Sequence, residues 1–243
     1  MKFVISILIS LSALSASARE GLVLIYSGAG SCTDGCAEAA AEIPARMGFR
    51  IQYVKPEEIK PELLKTAKVW MQPGGDAIVA AKAMGPEGLS AIREFVRAGG
   101  GYVGFCAGAF LSDKTVDNSD VTPGLGILPI GTFDYPLDSH NGDGAMTWIN
   151  WGGRPRHLFF NGGGSFYLNK SIGQISPEVK VLATFVADGL PATIETTFGK
   201  GRVVVSGAHP EATYAWKSEG GLVDEDGPDF DLAIDMVRKA LPK

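Results

Sequence analysis

Residues 21–27 read Gly-Leu-Val-Leu-Ile-Tyr-Ser, an unbroken apolar run of strand length closed by Gly28-Ala29-Gly30. A strand with apolar side chains on both faces is buried on both, and such strands belong to parallel sheets covered by helices. Similar short runs recur at 49–54, 69–72 and 102–105. Between them the spacing predicts helices. One covers 36–47, rich in Ala, with Asp34 as N-cap and Gly48 as its stop. A short one opens at Pro56-Glu57-Glu58, and another spans 86–98, where Leu89, Ile92, Phe95 and Val96 share a face ahead of three glycines. Strand and helix alternating over short connections predict an α/β fold with a mostly parallel, helix-flanked sheet.

From 112 to 169 the chain turns rich in Gly, Asp and Asn, which reads as antiparallel hairpins and long loops inserted in the same domain. Strands follow at 179–186, 192–197 and 202–206, then a closing helix over 228–241 with Phe230, Ile234, Val237 and Leu241 at helical spacing. With no internal repeat or linker, residues 19–243 read as one domain. The balance of 22 basic and 27 acidic residues, with no basic run, provides no electrostatic footprint for a nucleic acid. A small molecule is the expected partner.

The N-terminus has a different task. Lys2, an apolar run from Phe3 to Leu14 and the small residues Ser15-Ala16-Ser17-Ala18 form the pattern of a secretory signal cleaved after Ala18. The expected location is secreted or periplasmic, with no span after cleavage, since no later stretch is apolar enough to cross a membrane. Outside the cytosol disulfides persist, and Cys32 and Cys36 lie four apart in a turn, so they are expected to bridge and leave Cys106 free. The alternative is two unpaired small residues. No second Cys pair or nearby His completes a metal site there, His140 and His157 read as surface-loop residues, and neither metal nor cofactor is expected.

Chemistry concentrates in Gly104-Phe105-Cys106-Ala107-Gly108. Small residues two before and two after a Cys, where a strand turns sharply into a helix, form the cysteine version of a nucleophile elbow. The helix start supplies N–H groups that favour an ionised sulfur and can receive an oxyanion. A nucleophilic Cys needs a base, and the base needs an orienting acceptor. His209 follows an apolar strand expected to lie beside the one leading to Cys106, and Glu211 can reach back to His209 around Pro210.

These segments resemble the class I glutamine amidotransferase-like superfamily, whose flavodoxin-like fold carries a Cys on a Gly-x-Cys-x-Gly elbow and a late His-x-Glu. Within it the chain is most similar to the N-terminal domain of biotin-protein ligases and its free-standing exported relatives. That likeness rests on Tyr26-Ser27-Gly28, Gln72-Pro73-Gly74-Gly75, residues 100–109 and Phe160-Asn161-Gly162-Gly163-Gly164, and it extends over about residues 21–241. The resemblance implies a Cys106-His209-Glu211 triad, an oxyanion site at Gly74, Gly75 and Ala107, and substrate contacts at Asn161 and Gly162. The elbow continues Ala109-Phe110-Leu111, where working glutaminases usually place a polar residue.

The expected activity is hydrolysis or transfer of a small amide or acyl group; the competing expectation is a non-catalytic module that binds a small ligand or partner in the same cleft. A third class, relatives with an acid after the first strand, is disfavoured by Ser27-Gly28-Ala29-Gly30. Trp148, Trp151, Phe159 and Phe160 are expected in the core by default, with the lining of a pocket as the alternative, and the acidic run 224–229 on a solvated face.

Overall fold

The structure, a computed structural model, describes residues 21–116, 121–137, 144–166 and 178–243. The expected signal segment and His140 lie outside them. Strand β1 (Leu22–Tyr26) is buried throughout. The chain then turns through a disulfide between Cys32 and Cys36 into α1 (Cys36–Arg46). Asp34 does not cap α1, contrary to expectation. The N-cap is Gly35 with φ 85°, and Asp34 accepts a hydrogen bond from its neighbour Thr33 instead; the bridged turn enters the helix through a left-handed residue that favours glycine.

Strand β2 (Arg50–Val54) follows, then a 3-10 turn (Pro56–Glu58), α2 (Pro61–Leu64) and β3 (Val69–Gln72). Helix α3 (Ala77–Arg97) begins nine residues earlier than its amphipathic half suggests, because Asp76 caps it by accepting from the Val79 N–H at 2.9 Å. It bends at Gly85-Pro86, where Gly85 is non-helical. Strand β4 (Gly101–Phe105) runs straight into Cys106 and α4 (Ala107–Ser112).

The middle of the chain contributes β5 (Thr132–Asp134), the hairpin β6 (Ala145–Trp151) and β7 (Arg154–Phe160), and β8 (Gly164–Phe166). Strands β9 (Lys180–Phe185), β10 (Pro191–Phe198) and β11 (Gly201–Ser206) precede α5 (Tyr214–Glu219), which sequence reasoning missed, and α6 (Phe230–Ala240). Nine strands join in the order β2-β1-β3-β4-β11-β10-β9-β6-β7, while β5 and β8 pair separately. The first five run parallel; the remainder alternate antiparallel.

Successive strand side chains point to opposite faces, and the cores follow that rule. Leu24, Tyr26, Trp70 and Tyr102 meet Ile92 and Val96 of α3 on one face. Val23, Ile25, Met71 and Val103 meet Ala40 of α1 and Met236 of α6 on the other. The antiparallel half has its own cluster around Ile149, Leu158, Phe160 and Phe185.

The elbow glycines are dictated by contact. A Cβ on Gly104 would lie 2.6 Å from the Gly108 carbonyl, and one on Gly108 would lie 2.4 Å from the Gln72 carbonyl oxygen on β3. Neither backbone neighbour can yield without moving the sheet. Gly108→Ala is therefore expected to cost about 1–3 kcal/mol of stability, seen as a fall of several degrees in Tm; an unchanged melting curve would show that the elbow has room for a methyl group.

Candidate active site

Cys106 adopts φ 48° and ψ −104°, and among the described residues it alone is a non-glycine with positive φ. Such a conformation costs about 1–3 kcal/mol and persists only where the surroundings over-determine it. Here they do: its N–H donates to Ser206 O at 2.8 Å, and its carbonyl accepts from Ala109 N at 2.8 Å. The turn leaves the sulfur at the carboxyl edge of the sheet, hydrogen-bonded to Asn161 O at 3.5 Å.

His209 reaches the same edge from β11, which pairs in parallel with β4 and sets Ser206 opposite Phe105. Its N–H donates to Phe159 O at 2.9 Å, pinning the residue to the end of β7. Its Nδ1 lies 2.8 Å from Glu211 Oε1. His209 is 4% exposed and Glu211 is fully buried. With Nδ1 held by Glu211, Nε2 is the ring nitrogen left for another partner, in a cavity that Cys106 also lines. Burial disfavours a charged imidazole, but Glu211 and then the Cys106 sulfur outweigh it and push the His209 pKa up to about 10.

A cavity of about 380 Å³ collects Cys106, His209, Gly75, Asn161 and Gly162. Gly74 and Ala107, expected at the oxyanion site, are not among its lining residues. A Cβ on Gly74 would lie 2.8 Å from His209 Cε1, so bare backbone packs on the ring. The Gly75 and Ala107 N–H groups donate to no acceptor among the described residues. The glycine run after Asn161 has a packing cause as well: a Cβ on Gly163 would meet Gly207 O at 1.9 Å, so two backbones cross beside His209.

Sequence reasoning missed several walls of this cavity. The Cys32–Cys36 disulfide is one, together with Asp34, Phe159, Trp216 and Glu219. Trp216 is fixed by donating from Nε1 to Asp34 O at 2.8 Å, and its ring meets that of His209 edge-on at 5.6 Å. Six residues of α5 between loops carry too little periodicity to announce a helix. A larger groove of about 1330 Å³, lined by Leu64, Phe95, Gly100 and Lys200, lies at the opposite, amino-terminal edge of the parallel strands; open α/β sheets bind ligands at the carboxyl edge.

Two expectations are corrected. His157 is not on a surface loop: it sits in β7, 7% exposed, stacked on Trp148 with ring centroids 4.6 Å apart. The acidic run is not merely solvated. Arg156 pairs with Asp229 at 2.9 Å and Asp231 at 2.8 Å, and Lys217 of α5 pairs with Asp224. Burial pushes Asp229, 1% exposed, up to about 7 against the pull of Lys217 and Arg156. The network anchors the segment that presents Trp216. Of the four aromatics, Phe159 and Phe160 are buried, Phe159 also lining the cavity, while Trp151 packs partly buried against the core and Trp148 stacks on His157.

Fold and elbow together define a class I glutamine amidotransferase-like fold. A structure described as a glutamine amidotransferase superimposes with a TM-score of 0.59 at 22% identity, over 82% of this chain and 100% of that one. The family model "Biotin-protein ligase, N terminal" matches residues 22–127 and 145–231, and the chain belongs to that family. It is 31% identical over 176 residues to the biotin–protein ligase of Schizosaccharomyces pombe, covering 63% of this chain and 27% of that protein's length. It is also 27% identical over 189 residues to the pyridoxal 5'-phosphate synthase subunit PdxT of Koribacter versatilis, 72% of this chain and 83% of that one.

The raised pKa of His209 has a stability consequence. A histidine whose folded pKa exceeds its unfolded value of about 6.5 contributes stability that is complete below that value. The contribution is lost as pH rises through about 10. NMR titration of the Cε1–H resonances of the three histidines should show one midpoint far above 6.5 that falls in Glu211→Gln; no midpoint above 6.5 would contradict the His209–Glu211 coupling.

Proposed function

We propose that the chain is an exported cysteine enzyme that hydrolyses or transfers a small amide or related acyl group. The observation that carries this reading is the 2.8 Å contact of His209 Nδ1 with buried Glu211, in a cavity that also holds the strained Cys106. The Cys106 sulfur attacks the carbonyl carbon while its proton rests on His209. The N–H groups of Gly75 and Ala107 receive the oxyanion. Collapse breaks the carbon–nitrogen bond, His209 protonates the departing amine, and a thioester remains. Water, giving its proton back to His209, then releases the acid and restores the thiol; another nucleophile in its place makes the reaction a transfer. Glu211 holds the ring and stabilises the imidazolium. The substrate's amide bond is the one for which the glutamine amidotransferase of the same fold is named, and the apolar Ala109-Phe110-Leu111 argues for a substrate other than glutamine.

The 3.5 Å contact of the Cys106 sulfur with Asn161 O favours a second reading, in which the thiol is parked and the cavity only binds a small ligand. A panel of amide, peptide and acyl compounds separates the two. Turnover by the wild type that vanishes in Cys106→Ala and falls roughly 10²–10⁴-fold in His209→Ala is expected. Turnover that survives Cys106→Ala contradicts the triad, and saturable binding with no turnover across the panel supports the binding module.

A further inference from the structure

The cavity around Cys106 does not end at Trp216. Asp34, Trp216 and Glu219 line both that cavity and a second one of about 400 Å³, which continues along α1 past Glu38 and Glu42. Cys106 and His209 aside, every ionisable side chain in the two linings that is free to carry charge is a carboxylate: Asp34, Glu38, Glu42 and Glu219. Neither lining contains a Lys or Arg. Arg46 offsets Glu42, whereas Asp34, Glu38 and Glu219 have no ion-pair partner among the described residues. Trp216 stands at the junction, and Phe159 of the first cavity lies beside it, ring centroids 5.8 Å apart. The bond from Trp216 Nε1 to Asp34 O holds the larger ring in place.

From this we infer that the substrate is cationic: an amide or acyl compound whose non-reacting part bears an amine, guanidinium or quaternary ammonium group. The inference rests on the proposed nucleophilic role of Cys106 and adds the substrate's charge to it. Three unpaired like charges around one groove repel each other in the empty protein, and a cation relieves that repulsion. An aromatic face attracts the same group through its quadrupole. An anionic group at this end of the groove would be repelled by the three carboxylates, and a neutral one would gain hydrogen bonds from them but no charge attraction. The cation would sit by Trp216 between Asp34 and Glu219, with the reacting carbonyl at Cys106 and any extension running along Glu38.

The test needs no knowledge of the natural substrate. Cys106 is the free cysteine, the other two being bridged, so thiol labelling can be assigned by mass. Methanethiosulfonates serve as probes: the Cys106 sulfur attacks the sulfenyl sulfur, a disulfide forms, and methanesulfinate leaves. Rates are measured for the trimethylammonium-ethyl, sulfonato-ethyl and neutral methyl reagents, each divided by its rate with 2-mercaptoethanol under the same conditions. The cation is expected to outpace the anion by roughly tenfold or more at low salt. The ratio should shrink as ionic strength passes about 0.1 M, where the screening length is about 10 Å, and should drop several-fold in the double variant Asp34→Asn, Glu219→Gln. A normalised ratio at or below one, or one unmoved by the double variant, overturns the cationic substrate while leaving Cys106 reactive. Failure of even the neutral reagent to label Cys106 overturns the nucleophile as well, and so marks the failure of the underlying reading.

Discussion

The structure depends on the parallel pairing of β4 with β11. These strands are separated by about a hundred residues of chain, yet their register sets Phe105 beside Ser206, so the next residues of each emerge at one edge of the sheet. The Cys106 N–H extends the pairing by one further bond, to Ser206 O. Sulfur and imidazole therefore line one cavity because two apolar strands are aligned, before any site-specific contact is made. Slipping the register of β11 by one residue would turn its side chains to the opposite faces and carry His209 away.

Around that frame the protein holds two unfavourable local states. The backbone of Cys106 is strained, and the carboxylate of Glu211 is buried with one oxygen unpartnered among the described residues. Both are held by close backbone approaches that only glycine allows: Gly104 and Gly108 at the elbow, Gly74 against the ring, Gly163 against Gly207. A buried carboxylate is tolerable where a cation faces it, and His209 provides one. The disulfide and α5 contribute walls of the cavity into which these groups face.

How much of this was legible depended on whether a feature is local in the chain. The strands through Leu24, Trp70 and Val103 could be read because a both-faces-apolar run is written in consecutive residues, and the elbow because its small residues flank Cys106 directly. His209 and Glu211 were legible as a pair two residues apart. The start of α3 was not, since Ala77 to Met84 is interrupted by Gly85-Pro86 and its cap, Asp76, sits in what reads as a turn. Nor was the ion-pair network: Arg156 finds Asp231 across 75 positions, a partnership with no trace in local spacing. The acidic groove is likewise assembled from the disulfide turn, α1 and α5, and no single segment announces it.

The central claim is that Cys106 reacts as a sulfur held beside a protonated His209. Its most direct test is the pH profile of Cys106 alkylation by iodoacetamide, from about pH 5 to 9, in the wild type and in His209→Ala. The account predicts that at pH 6 the wild type is alkylated roughly 100-fold faster than the variant. Two superimposable profiles that both climb only above pH 8 would mean that the imidazole does nothing for the sulfur.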